Sequence, residues 1–263
     1  MEFALRVALS FLVGGAYVSG IIWCSEKLGS KVGGALAGIP NTILVSLAFI
    51  CLTTNAHSTQ ISATIIPVMI VAALFYSWVF VQVSGRGKAT RGPLFATLIA
   101  VFAWLILALV LRSSLSNASF VYVVVLSMFG TGLFYVLFQK YPGIKPKKIP
   151  TSNSVYIVRF LTGGAIVAGA VIAAHYSGPI WGGVVGSFPA LSMTLYFLNR
   201  SQGPEFTKSV VKRLPLSVIS TILFIVVLEL TLTRVNTPLS FLIAIACALM
   251  YTYILLNARS RLA

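Results

Sequence analysis

The chain has 263 residues, of which 58% are apolar and only 9% are charged, and its mean hydropathy is +0.98. A soluble domain carries about a quarter charged residues, so this composition excludes an ordinary soluble protein. The formal net charge is +15, from 19 Lys and Arg against four Glu. Because the basic residues lie in short breaks between apolar stretches, they indicate cytoplasmic loops of a membrane protein rather than a nucleic-acid-binding surface.

Apolar stretches long enough to form membrane-spanning helices follow one another along the whole chain. We predict about nine of them, at about 3–25, 32–53, 60–83, 93–111, 118–139, 154–175, 178–198, 209–231 and 238–257. The stretches are continuously apolar and do not alternate with polar residues, which favours helices over the strands of a membrane barrel. The sequence therefore predicts an all-α polytopic membrane protein.

The distribution of basic residues among the breaks predicts the orientation of the chain. The odd-numbered breaks and the C-terminus hold most of the Lys and Arg, whereas the even-numbered breaks hold Arg112 and Arg234, with Arg6 near the N-terminus on their side. By the positive-inside rule the N-terminus lies outside and the C-terminus in the cytoplasm. We expect an integral protein of a cell inner membrane whose basic cytoplasmic loops attract anionic lipid headgroups.

An internal duplication organises the chain. The segment Phe11–Gly20 recurs as Phe160–Gly169, an offset of 149 residues that also places Pro40 on Pro189. The copies begin five spans apart, and an odd number of crossings turns the second copy upside down relative to the first. We therefore predict two inverted four-helix repeats, at 1–116 and 154–263, joined by a linking helix and basic loop at 117–153.

The two prolines define the predicted functional site. Pro40 and Pro189 each lie about nine residues into their span, which at about 1.5 Å per residue is close to the bilayer centre. A proline removes one backbone donor and leaves the carbonyl four residues earlier, Leu36 or Val185, without its helical partner. We expect this backbone to line a substrate pathway. The predicted substrate-binding side chains near the breaks are those of Asn41, Thr42, Ser187 and Ser192, with Tyr17 as a wall.

Other residues within the spans allow a structural or a functional interpretation. Glycines flank both prolines at the spacing of closely packed helices, and we predict this packing role for Gly33, Gly34, Gly38, Gly182, Gly183 and Gly186. Arg159 either extends its stem to the membrane surface or contacts an anionic group of the substrate. Glu229 either forms an ion pair with Arg234 or binds a coupling ion or a proton.

The sequence contains no arrangement of residues that is typical of an enzyme. It lacks a Ser/His/Asp grouping, a phosphate-binding loop and a cofactor fingerprint. His57 and His175 are not spaced as metal ligands, and carboxylates are scarce. We therefore predict no catalytic activity, no cofactor and no bound metal.

The strings Gly34–Thr42 and, more loosely, Gly183–Ala190 resemble the Ala-Gly-x-Pro-Thr element of the GlpM-type small membrane proteins. The resemblance covers about 50 residues in each half. The second copy departs from the first, with Ser187 and Ala190 in place of Gly38 and Asn41. The inverted arrangement is also similar in architecture to the drug/metabolite transporter group. That likeness implies transport by analogy alone.

The sequence as a whole favours a transporter of a small neutral or anionic metabolite that works by alternating access around the broken second and seventh spans. Two alternatives stay open: a flippase for a lipid or a lipid-linked carrier, and a non-transporting membrane scaffold. The expected partners are a small-molecule substrate and membrane lipids, and the chain is compatible with a homo-oligomer. No nucleic acid is expected.

Overall fold

A computed structural model describes residues 2–27, 40–85, 92–115, 117–144, 153–189 and 191–262. Within these ranges it describes the side chains of all residues except 22, 24–27, 41, 191–193 and 258–262. The described residues are almost entirely helical. Their twelve helices are α1 (Phe3–Lys27), α2 (Asn41–Thr53), α3 (Ala56–Thr64), α4 (Ile66–Ser84), α5 (Gly92–Leu115), α6 (Phe120–Gln139), α7 (Asn153–Tyr176), α8 (Pro179–Gly186), α9 (Leu191–Gln202), α10 (Pro204–Val211), α11 (Leu214–Thr231) and α12 (Thr237–Leu262).

Seven of these helices are long and apolar enough to cross a lipid bilayer, namely α1, α4, α5, α6, α7, α11 and α12. Their outward faces carry large apolar side chains such as Phe102, Phe129 and Leu242, each more than 60% exposed. Side chains of this kind are stable in contact with lipid and unfavourable in contact with water. The chain is therefore an integral membrane protein with transmembrane helices.

The helices pass back and forth between two ends of one bundle. At one end, here called the Tyr141 end, Tyr141 follows α6 and contacts the last turn of α4 and Lys212 before α11. At the other, the Glu229 end, Glu229 near the end of α11 contacts Gln60 on α3. The described basic residues outside the interior separate accordingly. Lys140, Arg200, Lys208, Lys212 and Arg213 belong to the Tyr141 end, and Arg6, Arg112 and Arg234 to the Glu229 end.

Two predicted spans are each divided in a way that the sequence analysis did not anticipate. The stretch 60–83 is divided at Ile65 into α3 and α4, and the stretch 209–231 is divided at Lys212 and Arg213 into α10 and α11. A proline in the first turn of the second segment, Pro67 or Pro215, accounts for each division. Proline has no backbone N–H to continue the preceding helix, and its ring clashes with the carbonyl four residues earlier.

Helices α1 and α7 run antiparallel, with contacts from Phe3 to Ser19 of α1. Phe3 near the start of α1 stacks on His175 near the end of α7, with ring centroids 4.2 Å apart. Towards the other end, the Ser19 hydroxyl donates to the backbone oxygen of Tyr156 across 3.2 Å. Between these contacts the rings of Phe11 and Phe160 meet edge to face at 6.0 Å. The helices therefore cross the bundle in opposite directions.

Four glycines bring these two helices together, and their contacts are reciprocal. The contacts pair Gly14 with Val167, Gly163 with Val18, Gly15 with Phe160 and Gly164 with Phe11. An offset of 149 residues converts each contact of one helix into a contact of the other. In every pair a Cβ atom added to the glycine would lie between 2.6 and 2.9 Å from the partner, closer than real Cβ atoms approach. Only glycine therefore permits this separation of the helix axes.

Candidate functional site

The candidate site is built where helices begin and end inside the bundle. Helix α2 starts at Asn41, with Pro40 buried at its N-cap, and ends at the Glu229 end. The proline side chain has no hydrogen-bonding group, so it cannot cap the first N–H groups of α2. Because Pro40 is buried, the positive end of the α2 dipole lies inside the protein. The Asn41 side chain lies outside the described residues.

The second half has a helix interruption at the corresponding proline. Helix α8 starts at the Glu229 end and stops at Gly186 after eight residues, which is about 12 Å of helix. Ser187 and Phe188 form a turn, Pro189 is buried, and α9 then continues towards the Tyr141 end. The α8–α9 pair therefore crosses the bundle as one interrupted segment, as predicted for the span 178–198. The Ser192 side chain lies outside the described residues.

The expectation of an unpartnered Val185 carbonyl is wrong. The Phe188 N–H donates to this carbonyl across 3.0 Å, because the chain tightens into a turn before Pro189. The Ser187 hydroxyl donates to the neighbouring carbonyl of Val184 across 2.8 Å. The end of α8 is therefore satisfied by its own turn. The Ser187 hydroxyl already donates its proton to Val184, so it can bind a ligand only by accepting a hydrogen bond at its oxygen. The side chain of Ser187 is 5% exposed. Leu36, the corresponding residue before Pro40, lies outside the described residues.

One face of α8 consists of glycines and is pressed against neighbouring helices. Gly182 lies against Ala174 of α7 and Ile50 of α2, and Gly183 lies against the backbone oxygen of Ser62 on α3. The Ser62 hydroxyl in turn donates to the backbone oxygen of Pro179 across 2.7 Å. These contacts fix the short helix between α2, α3 and α7, and so fix the position of its end.

The structure adds one residue that the sequence analysis missed. Ser46 of α2 lies beside Gly186, where an added Cβ atom would be 3.2 Å from the serine oxygen. Its side chain is 1% exposed, and the oxygen has no hydrogen-bond partner among the described residues. The signal in the sequence was spacing, because Ser46 follows Thr42 by four residues and shares its helix face. Thr42 is also buried, with 6% exposure.

Aromatic side chains cover the turn between α8 and α9. The ring of Phe188 meets Trp104 of α5 edge to face, with 5.0 Å between centroids. At the start of α8, the guanidinium of Arg112 lies 4.5 Å from the centroid of Trp181. Both contacts join α5 of the first half to the interrupted crossing of the second.

Two predicted site residues lie away from the turn. Gly186 is close to Ala170 of α7, and Arg159 is eleven residues earlier on that helix, roughly 16 Å towards the Tyr141 end. Tyr17 is half-buried on α1, next to Val18, which contacts Gly163 of α7. Because Gly163 lies between Arg159 and Ala170 on α7, Tyr17 lies between the level of Arg159 and the level of the turn. Thr42 lies one helical turn before Ser46 on α2 and Ser187 follows Gly186, so both lie near the contact between Ser46 and Gly186, whereas Arg159 lies away from it. Pro40 and Pro189 lie two residues from Thr42 and Ser187 in the sequence. Gly33, Gly34 and Gly38 lie outside the described residues.

Polar side chains join the two halves at both ends of the bundle. At the Tyr141 end, Asn199 donates to Ser84, and Gln82 donates to the Tyr141 hydroxyl across 3.1 Å. Lys212 donates to the backbone oxygen of Tyr141 across 2.9 Å. Burial raises the pKa of Tyr141, and the hydrogen bond from Gln82 opposes this shift.

At the Glu229 end the expected ion pair between Glu229 and Arg234 is wrong. Arg234 is exposed in the turn after α11 and makes no ion pair with Glu229. Instead the side-chain amide of Gln60 donates to the backbone oxygen of Glu229 across 3.4 Å and lies beside its carboxylate. Helix α11 ends at Thr231, before Arg234.

Among the described residues, no three His, Cys, Asp or Glu side chains are placed to hold a metal ion. The polar groups described at the site are the hydroxyl groups of Thr42, Ser46 and Ser187 and the N-terminus of α2. Comparison of the chain with protein-family models, with curated proteins and with solved structures gives no match.

Proposed function

We propose that this protein is a membrane transporter that carries a small neutral or anionic metabolite by alternating access. The observation that carries the proposal is the start of α2 inside the bundle, beside the turn at which α8 stops. Interrupted helices are costly in lipid and are retained where the freed groups line a polar pathway. The side chains of Thr42, Ser46 and Ser187 are buried, and Ser46 lies beside Gly186 at the end of α8.

The helix dipoles support the choice of substrate. Helices α2 and α9 both begin partway through the bundle and run to opposite ends of it. Each N-terminus presents partial positive charge, so the two together favour an anionic or hydrogen-bond-accepting group. No acidic side chain of the described residues lies on α2, α8 or α9, which disfavours a cationic substrate.

The arrangement of the two halves supports alternating access. Under the 149-residue offset, α1 to α5 correspond to helices of the second half: α1 to α7, α2 to α9, α3 to α10, α4 to α11 and α5 to α12. Helix α6 has no counterpart and joins the two sets. Because α1 and α7 are antiparallel, we infer two inverted four-helix repeats whose rocking would open the site to either side in turn.

A comparison of cell metabolites tests the proposal and does not require the identity of the substrate. Cells that produce the protein should differ from cells without it in the content of at least one small neutral or anionic metabolite. The variants Pro40→Ala, Asn41→Leu and Thr42→Val should abolish this difference at unchanged protein level, because they alter the start of α2.

The matched control is Thr252→Val on α12. Thr252 is as buried as Thr42, but its hydroxyl donates to Ala248 within its own helix. We expect this variant to retain the metabolite difference. Equal metabolite content in wild type and all variants would count against transport. Loss in Thr252→Val as well would show that the site at α2 has no special role.

We also propose the orientation in which the Tyr141 end faces the cytoplasm of a cell with the protein in its inner membrane. The excess of Lys and Arg at that end supports it. Single cysteines at Asn117 and Ser177 should react with a membrane-impermeant thiol reagent from outside, and cysteines at Gly85 and Gly143 should not. Reaction of all four from one side would reject the orientation and the inverted arrangement together.

A second candidate function is the movement of lipid across the membrane. The observation that favours it is an apolar groove of about 300 Å³ on the outer surface, lined by Phe75, Ala103, Ile106, Leu107 and Val110. A groove of this kind fits an acyl chain. If it acts in lipid movement, Ala103→Phe should slow the scrambling of labelled lipid in vesicles. Absence of scrambling by the wild-type protein would leave the metabolite transporter as the only proposal.

A further inference from the structure

Glu229 is an acidic residue in the last turn of the membrane-spanning helix α11, which ends at Thr231. Its backbone and side chain contact Gln60 of α3, which belongs to the other half of the chain. One carboxylate oxygen, Oε2, is buried and has no hydrogen-bond partner among the described residues. The contact and the buried oxygen together distinguish Glu229 from the exposed Glu205, which is paired with Lys208.

The helix that carries Glu229 packs into an apolar cluster. Leu228 and Leu232 belong to a buried cluster with Ile66 of α4 and Ala244 of α12, against which Phe120 of α6 also packs. An ionised carboxylate in such surroundings loses hydration at its unpartnered oxygen. A bound proton removes that charge and gives the carboxyl group a donor.

Within the described part of the chain, no neighbouring cation replaces the missing hydration. Helix α11 packs against α3, α4, α6 and α12. On these helices and in the adjoining turn, the charged or titratable groups at this end are His57 on α3, Tyr122 on α6 and Arg234, and all three are exposed. Of the other cations at this end, Arg6 donates to the backbone oxygen of Leu52, and Arg112 lies over the ring of Trp181. Helices α4 and α12 contribute only apolar and hydroxyl residues here. The group that contacts the carboxylate is therefore the neutral amide of Gln60.

We propose that Glu229 is a proton-binding site, and that the bound proton is linked to the contact between α3 and α11. The amide of Gln60 donates to the ionised carboxylate, so this contact favours release of the proton. Separation of α3 from α11 removes the donor and favours proton uptake. This inference deepens the proposed transport function, because it makes the proton the ion that is coupled to movement of the halves.

The test uses the purified full-length protein and dicyclohexylcarbodiimide, an apolar reagent that reacts with protonated carboxyl groups. The acid adds across one C=N bond to form an O-acylisourea, which rearranges to a stable N-acylurea without loss of any atom. Peptide mass spectrometry then measures the adduct on each Glu from about pH 5 to about pH 9. We expect at least about tenfold more adduct on Glu229 than on Glu205 at the acidic limit.

The adduct on Glu229 should decrease with rising pH, by about tenfold per unit once the proton is lost. Equal labelling of Glu229 and Glu205, or labelling of Glu229 that does not change with pH, would overturn the proposal. Because the assay measures a chemical modification and no flux, its result is independent of whether the protein transports a metabolite.

The link to α3 has its own variant. Gln60→Leu removes the donor, so half-maximal labelling of Glu229 should shift to higher pH. The matched control Gln139→Leu changes an exposed glutamine at the opposite end of the bundle and should leave the profile unchanged. An unchanged profile in Gln60→Leu would refute the linkage. A Gln60→Leu protein that fails to fold is replaced by Gln60→Met, which also lacks the donor.

Discussion

The side-chain amide of Asn199 donates a hydrogen bond to the hydroxyl oxygen of Ser84 across 3.1 Å, and both side chains are 6% exposed. Asn199 lies near the end of α9 and Ser84 is the last residue of α4, so the bond joins the two halves of the chain. Together with the hydrogen bonds of Tyr141 to Gln82 and Lys212, it connects helices at the Tyr141 end of the bundle. Nothing in the spacing of these residues along the sequence indicated the contact.

Loss of this bond should destabilise the protein. We expect Asn199→Ala to lower the free energy of unfolding by about 1 kcal/mol, since a buried hydrogen bond contributes about that amount. Thermal unfolding in detergent measures the change. Ser201→Ala, which alters an exposed residue two positions along the same helix, should have little effect. An equal loss in both variants would mean that the Asn199 bond has no particular role.

Gly183 should tolerate no side chain. A Cβ atom at this position would overlap the backbone oxygen of Ser62, and backbone cannot move aside as a flexible side chain does. We expect Gly183→Ala to cost about 3 kcal/mol or to prevent folding. Gly132→Ala is the matched control, because an added Cβ there meets nothing within 4 Å. It should be neutral or stabilising by up to about 1 kcal/mol. Folded Gly183→Ala protein of wild-type stability would contradict the packing of α8 on α3.

The pH dependence of stability should reveal the buried phenol of Tyr141. Burial raises its pKa above the ordinary value of 10.0, so the neutral phenol is favoured in the folded state. This stabilisation is fully present below pH 10 and is lost as the pH rises through the raised pKa. Tyr141→Phe should therefore show a weaker loss of stability above pH 10. At neutral pH it should lose about 1 kcal/mol with the Gln82 bond.

Thermal unfolding of wild type and Tyr141→Phe across alkaline pH measures whether the variant loses less stability than wild type. The comparison variant is Tyr122→Phe, since Tyr122 is exposed on α6. A slope above pH 10 that is identical in wild type, Tyr141→Phe and Tyr122→Phe would show that burial does not raise the pKa of Tyr141 in the folded state.

The contact between Arg112 and Trp181 should stabilise the packing of α8 against α5. The guanidinium lies 4.5 Å from the ring centroid, which is within the range of cation–π attraction. We expect Trp181→Leu to destabilise the protein by about 1 to 2 kcal/mol, measured by thermal unfolding. Trp23→Leu changes a tryptophan that is 52% exposed and should cost less. A larger loss of stability in Trp23→Leu than in Trp181→Leu would contradict this prediction.

The sequence predicted the helical class, the interruption at Pro189 and nine apolar spans, of which seven contain a described helix long enough to cross a membrane. Composition and proline chemistry act locally, and so they can be inferred from sequence. It did not predict the divisions at Ile65 and at Lys212–Arg213. Pro67 and Pro215 were visible in the sequence, but hydropathy averaged over a span does not show where one helix ends and the next begins.

The sequence predicted some residues of the candidate site but not the contacts that those residues make. Thr42 and Ser187 were predicted from their proximity to a proline, and both are buried near the interruptions. Ser46 was missed because serine within an apolar helix usually bonds to its own backbone. The pairing of Glu229 with Gln60 was also missed. It spans 169 residues, and no short-range rule relates such positions.

The reciprocal seam between α1 and α7 bears on how such a chain could arise. Each side of the seam presents the same glycines and the same phenylalanine, so one side complements an inverted copy of itself. A single unduplicated unit inserted in both orientations would meet its twin along that surface as a two-chain assembly. In the proposed arrangement, fusion of the genes would fix the ratio of the two orientations at one to one and free each copy to diverge.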